Sequence, residues 1–173
     1  MIPNIIIRQE QPFDYSAIAS INTLAFGREE EARLVERIRN SDRYAPEFAL
    51  VAEHNHNVVG HILLSYVDLI GVETYSVLAL APLAVIPAFQ RQGIGRLLVN
   101  SALSEAEKQE EPLVIVLGHP WFYPRCGFEL SERFSIYCSF PVPPEAFMVK
   151  PLKNYDPKYQ GSVVYPPSFP NVE

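Results

Sequence analysis

The residues of this chain with the clearest chemical potential are Gln90-Arg91-Gln92-Gly93-Ile94-Gly95-Arg96, directly ahead of the apolar helical pattern that starts at Leu97. Each glycine opposes helix formation by about 0.8–1 kcal/mol relative to alanine, so helicity does not explain the pair. The first amides of a helix have no intrahelical acceptor and carry the positive end of its dipole. Glycine removes the Cβ that would hold a bulky anion away from that backbone, and Arg91 and Arg96 add positive charge. The pattern therefore predicts anion binding at a helix start, although a loop-to-helix junction with no ligand has the same spacing. A Walker loop ends in Gly-Lys-Ser/Thr, whereas Gly95 is followed by Arg96-Leu97. A dinucleotide fingerprint needs a third small residue where Leu98 stands, and an acid at the end of the next strand. Glu110 and Glu111 precede that strand instead.

The elements that must position this loop follow from hydrophobic spacing. Ile5-Ile6-Ile7 is a short strand. Ala17, Ile18, Ile21, Leu24 and Ala25 recur at helical spacing over Asp14–Ala25, with Asp14 as the cap, and Glu29–Arg39 forms a second helix. Phe48–Ala52 and Val58–Val67 form a hairpin about the turn His54–Asn57, and a second turn near Gly71 leads to the long strand Tyr75–Val85. That strand is apolar on both faces, which places it inside the sheet. Pro82 cannot donate to a ladder, so it predicts a bulge there. A helix from about Gln92 to Lys108 follows, then a buried strand Leu113–Leu117, a loop with a short helical turn closed by Gly127, and strands over Phe128–Phe140 and Phe147–Leu152. The expected architecture is one α+β domain over residues 1–173 around a mixed sheet. From about residue 153 a proline-rich stretch, Pro151 to Pro170, packs on the body through Tyr155, Tyr159, Tyr165 and Phe169.

Gln90-x-x-Gly93-x-Gly95 resembles the Q/R-x-x-G-x-G/A motif of the GNAT superfamily of N-acetyltransferases, and Tyr123-x-x-x-Gly127-Phe128 resembles that family's Y-x-x-x-G-F segment. The order of elements is similar over almost the whole chain. The wording around Leu117–Phe128 looks like a bacterial subfamily of small GNAT proteins whose substrates are mostly unassigned. The resemblance implies a mixed, mostly antiparallel sheet with helices on both faces. It also implies acetyl-CoA as co-substrate, with the pantetheine arm on Leu83, Ala84 and Val85 and the pyrophosphate on Gln90, Arg91, Gln92, Gly93, Ile94, Gly95 and Arg96. The activity implied is acetyl transfer to a primary amine by direct attack on the thioester. Tyr123 would then be the catalytic acid: a phenol stays protonated at neutral pH and can donate to the leaving thiolate.

The sequence departs from the family's pattern in two respects, the first being that the segment before Tyr123, where relatives often place an asparagine on a short helix, is shortened to Gly118-His119-Pro120-Trp121. The second is that no acid lies in Val77–Val85 or Leu113–Leu117, where many relatives place the glutamate that deprotonates the amine. His119 is the candidate base, with Glu73, Asp68 and a water path as further options. The missing glutamate also motivates an alternative, a non-catalytic acyl-CoA-binding sensor on the same fold. Cys126 reads as a small buried filler, and free thiols are expected at Cys126 and Cys138. His54, His56 and His61 lack metal-ligand spacing, and no metal is expected.

Composition bounds the partners. The net charge of −6 argues against an extended nucleic-acid surface and mildly favours amine-bearing partners. No 18-residue apolar span or signal-like start is present, so the chain reads as cytoplasmic with no membrane partner. The resemblance implies an acceptor that is the amine of a small molecule or a peptide, and a homodimer, a common assembly in that family.

Overall fold

The apolar run Thr74–Val85 is strand β4, and it takes partners on both sides: β3 (Asn57–Ile70) antiparallel and β5 (Leu113–Leu117) parallel. The computed structural model describes residues 4–169. With β1 (Ile5–Gln9), β2 (Ala49–His54), β6 (Glu129–Leu130) and β8 (Phe147–Pro151), the sheet order is β1-β2-β3-β4-β5-β8-β6. The C-terminal stretch supplies β9 (Gly161–Val164), which pairs with the far end of β3 and carries β7 (Ile136–Cys138) in parallel. Pro170 lies outside the described residues. The sheet is thus mixed and mostly antiparallel.

Alternation along the strands divides the core into two layers. On β3, Ile62 and Leu64 face α3 (Ile94–Lys108), which buries Leu98, Val99, Ala102 and Ala106 against them. Leu63 and Val67 face the opposite layer, where α1 (Tyr15–Phe26) and α2 (Glu30–Arg39) bury Ile18, Val35 and Ile38. α2 begins with Glu30 and Glu31 and ends with Arg37 and Arg39, the charge order that its dipole favours.

Three local expectations are corrected. Asp14 precedes α1 without capping it, because its carboxylate is held by Arg8 at 2.7 and 2.9 Å and by the Gln11 amide at 2.8 Å. The expected strand Phe128–Phe140 is broken: Ser131–Phe134 turns as a 3-10 segment and Ser135 takes φ 55°, so only β6 and β7 remain extended. α3 starts at Ile94 rather than Gln92, since Arg91 and Gly93 hold positive φ values that a right-handed helix excludes. The bulge at Pro82 is present, because the β3–β4 register slips between Ile62 and Leu64, opposite Ala81 and Pro82.

One buried polar cluster ties the α1/α2 layer to the sheet. The Glu10 carboxylate, just after β1, accepts from Arg39 of α2 at 3.1 and 3.2 Å and from the Tyr44 hydroxyl at 2.7 Å, and lies 3.0 Å from His61 Nε2 of β3. Burial alone would raise the Glu10 carboxyl. The hydrogen bonds from His61, Arg39 and Tyr44 outweigh it and hold the group at about 2, below its ordinary 4.5. A depressed folded-state value stabilises the protein above the unfolded value, and that contribution disappears as pH falls through the folded one. Wild-type stability from urea unfolding is therefore expected to fall between pH 4.5 and 2. Glu10→Gln should lower the urea midpoint at pH 7 and flatten that acid limb.

Candidate active site

β4 and β5 part company at Leu80. Their parallel register joins Leu78, Ala79 and Leu80 to Val114, Ile115 and Val116, and β4 then continues to Val85 against β3 alone. Beyond the bulge the Ile86 N–H donates to Val59 O at 3.0 Å. In an antiparallel ladder this fixes the alternation. Ile86 and Ala84 turn their backbone groups to β3, while Val85 and Leu83 turn theirs into the gap that β5 leaves. Val85 O is met there by the Gln90 side chain, whose Nε2 donates at 2.9 Å. Gln90 thus sets the end of β4, a role that sequence spacing did not suggest. Ala84, expected beside the cofactor, has its backbone committed to β3 opposite His61.

The gap leads to the start of α3. Gly93 is the N-cap residue at φ 87°, no side chain caps the helix, and the first intrahelical bond runs from Leu97 N–H to Gly93 O at 3.0 Å. The amides of Ile94, Gly95 and Arg96 consequently have no helical acceptor. The two glycines differ in kind. A Cβ on Gly93 would meet nothing within 4 Å, so Gly93 is required by its left-handed backbone. A Cβ on Gly95 would lie 3.5 Å from Phe122 Cζ and 3.8 Å from Leu83 Cδ2, ordinary contacts, so neither space nor backbone demands glycine there. Residues 87–99 and 118–128 carry three arginines, Arg91, Arg96 and Arg125, and no acid, a local positive patch on an acidic chain. Gln92 Nε2 reaches Ala88 O at 3.4 Å.

The same contacts bring in the tyrosine. Phe122 reaches toward Gly95, and Tyr123 follows it in a 3-10 turn, Tyr123–Cys126, closed by Gly127 at φ 89°. The Tyr123 ring is buried, edge-on to Phe122 and Phe128 at centroid distances of 5.0 and 5.5 Å. Gly118 is required by that ring, since a Cβ there would lie 2.9 Å from Tyr123 Cδ2. The sequence marked Gly118 only as one glycine before His119-Pro120. Burial pushes the Tyr123 hydroxyl well above the ordinary phenol value, so it is a proton donor at neutral pH. Burial also raises the Cys126 thiol, opposed by nearby Arg96.

The candidate bases are not equally placed. His119 is exposed and stacks on Trp121 at 4.9 Å, and no carboxylate orients its ring among the described residues. Asp68 is held by Arg43 at 3.0 and 3.3 Å, and Glu73 by the Tyr75 hydroxyl at 2.7 Å. Both lie at the end of the β3–β4 hairpin remote from Leu83–Val85, roughly 25–40 Å away along the strand. Among the described residues, no group of three His, Cys, Asp or Glu side chains is placed to hold a metal ion, and no helix is long and apolar enough to cross a membrane.

Comparison with known proteins agrees with this geometry. Residues 15–128 match the Acetyltransferase (GNAT) family. The uncharacterized N-acetyltransferase YjhQ of Escherichia coli K12 is 35% identical over 134 residues, which cover 76% of this chain and 74% of that protein. The uncharacterized N-acetyltransferase YhbS of the same strain is 32% identical over 148 residues, 86% of this chain and 87% of YhbS. The crystal structure of Escherichia coli YhbS in complex with CoA superposes with a TM-score of 0.89 at 31% identity, covering 100% of this chain and 97% of that one. A GNAT acetyltransferase from Brucella melitensis in complex with acetyl-CoA gives 0.78 at 28% identity, over 96% and 98% of the two chains. An open strand edge, an uncapped helix start and a buried tyrosine thus sit on a fold shared with CoA-bound relatives, and the chain belongs to the GNAT family of N-acetyltransferases.

Proposed function

We propose that this acyltransferase moves an acetyl group from acetyl-CoA to a primary amine of a small molecule or peptide by direct attack on the thioester. One observation carries the reading: the amides of Leu83 and Val85 open into a gap that runs to the uncapped start of α3. Relatives crystallised with CoA and acetyl-CoA support the choice of co-substrate. The residues present fit it. Leu83 and Val85 offer backbone groups to an extended amide-bearing arm. The amides from Gly93 to Arg96, with Arg91 and Arg96, suit a pyrophosphate. Ala84 contributes a small side chain rather than a backbone group. The Val85 N–H polarises the thioester carbonyl, and the Tyr123 hydroxyl protonates the departing thiolate, a role worth about 10²–10⁴ in rate.

The reading is tested by CoA release over a panel of peptide N-termini, polyamines, amino sugars and amino acids. Release with at least one acceptor is expected, and release with none would overturn it. Tyr123→Phe should lower kcat by about 10²–10⁴ while acetyl-CoA affinity by calorimetry stays within about twofold. The glycines separate fold from ligand. Gly93→Ala should destabilise the free protein by about 1 kcal/mol. Gly95→Ala should stabilise it by about 0.5–1 kcal/mol and yet weaken CoA binding at least tenfold. Unchanged CoA affinity in Gly95→Ala would remove the close approach of the pyrophosphate to that backbone.

A further inference from the structure

Trp121 is the one tryptophan of the chain, and it stands 66% exposed beside the candidate site. Tryptophan is highly buried on average, so an indole held in solvent calls for a use. Local structure explains how it is held there. His119-Pro120-Trp121-Phe122 forms a turn in which His119 O accepts from the Phe122 N–H at 3.1 Å and from the Tyr123 N–H at 3.3 Å. Pro120 stands at the second position of that turn, where its fixed φ is favoured. The turn sends Phe122 inward, with its Cζ 3.5 Å from where a Cβ on Gly95 would lie, and leaves Trp121 outside.

Two rings fix the indole in that position. It stacks on His119 at 4.9 Å with an interplanar angle of 19°, and Phe122 stands across it at 6.3 Å and 78°. Phe122 packs in turn against the core that α3 covers. The indole therefore stands one ring beyond Gly95, on an anchored support next to the uncapped start of α3. Its surroundings are cationic. Arg91 and Arg96 flank the helix start, Arg125 is exposed on the turn that follows Trp121, and residues 87–99 and 118–128 hold no acid.

A flat π-face beside an anion site in a positive field suits a nucleotide. CoA carries one beyond its pyrophosphate: a ribose with a 3′-phosphate and an adenine. Leu83, Val85 and the α3 amides account for the pantetheine arm and the pyrophosphate, and they leave the adenosine without a partner. A pyrophosphate on the amides of Gly93–Arg96 would bring the base one ribose away, in the neighbourhood of the indole.

We propose that the adenine of CoA stacks on the face of Trp121 opposite His119, which makes Trp121 a specificity residue for the acyl donor; this rests on the acetyl-transfer reading above. Arg125 supplies positive charge to the 3′-phosphate of the same nucleotide. An acetyl group on free CoA is thereby favoured over one on the phosphopantetheine arm of a carrier protein, since that arm ends in a phosphodiester with no base to stack.

The test compares wild type, Trp121→Ala and Trp121→Phe, with CoA and 4′-phosphopantetheine as probes. Indole emission from wild type reports position 121 alone, because the chain has no other tryptophan. CoA should quench that emission at saturation. An excess of 4′-phosphopantetheine, which brings the thiol and a phosphate without the base, should leave it unchanged. By calorimetry, Trp121→Ala should weaken CoA binding about 5- to 100-fold, and Trp121→Phe, which keeps a π-face, by no more than about threefold. The position is exposed, so both variants should keep the wild-type melting temperature within about 2 °C. CoA bound to wild type with unchanged emission overturns this proposal alone. Equal quenching by 4′-phosphopantetheine does the same, as does a CoA affinity within about twofold of wild type in Trp121→Ala. Wild type that binds no CoA overturns the acetyl-transfer reading and this proposal together.

Discussion

The site depends on a pairing that stops. β4 and β5 are the one parallel pair within the main path of the sheet, and they hold together only from Leu78 to Leu80. A parallel pair needs a crossover, and here the crossover is α3. The helix must therefore begin where β4 ends, so its uncapped amides necessarily lie at the same edge as the unpaired stretch of β4. Open α/β sheets bind ligands at the carboxyl ends of their strands for this topological reason. The bulge at Pro82 reinforces the separation, since a residue without an N–H interrupts the ladder where the strand must turn its backbone to a new partner.

Two glycines look alike in the sequence and prove different in the fold. Gly93 answers to its own backbone, whereas neither the backbone nor the neighbours of Gly95 demand a glycine, and no pattern of letters separates a φ of 87° from an ordinary helical position. The strand–glycine–helix order was legible because it is local and rests on hydrophobic period. The Glu10–His61 contact was not, because it spans 51 positions and depends on the strand register. Gly118 was invisible for the same reason, as its neighbour is a ring five residues on, folded back by the 3-10 turn. The break at Ser131–Phe134 shows the opposite failure. An aromatic-rich stretch has strand propensity, but Ser131, Glu132 and Arg133 gain more from turning, with Arg133 reaching back to Glu129 at 3.2 Å.

The charge distribution divides labour across the sheet. Residues 87–99, through the first turn of α3, carry Arg91 and Arg96 and no acid, whereas three arginines on the other side of the molecule are paired. Arg8 meets Asp14 and Glu53, Arg39 meets Glu10, and Arg43 meets Asp68. Arg91, Arg96 and Arg125 have no ion-pair partner among the described residues, whereas Arg8, Arg39 and Arg43 are neutralised by carboxylates within the fold.

The pairing of β9 with Asp68–Ile70 also bears on how the chain is made. β2 accompanies β3 only as far as Leu63, and the Tyr66 N–H is taken by Arg43 O at 3.2 Å, so the outer end of β3 has no strand on that side until β9 arrives. On the ribosome, Asp68–Ile70 emerges well before its partner at Ser162–Val164, an interval of about 5–20 s at ordinary synthesis rates. During that time a ladder edge ending in the apolar pair Leu69-Ile70 is exposed on the nascent chain, and the cell must keep it from other strands until the last elements are translated.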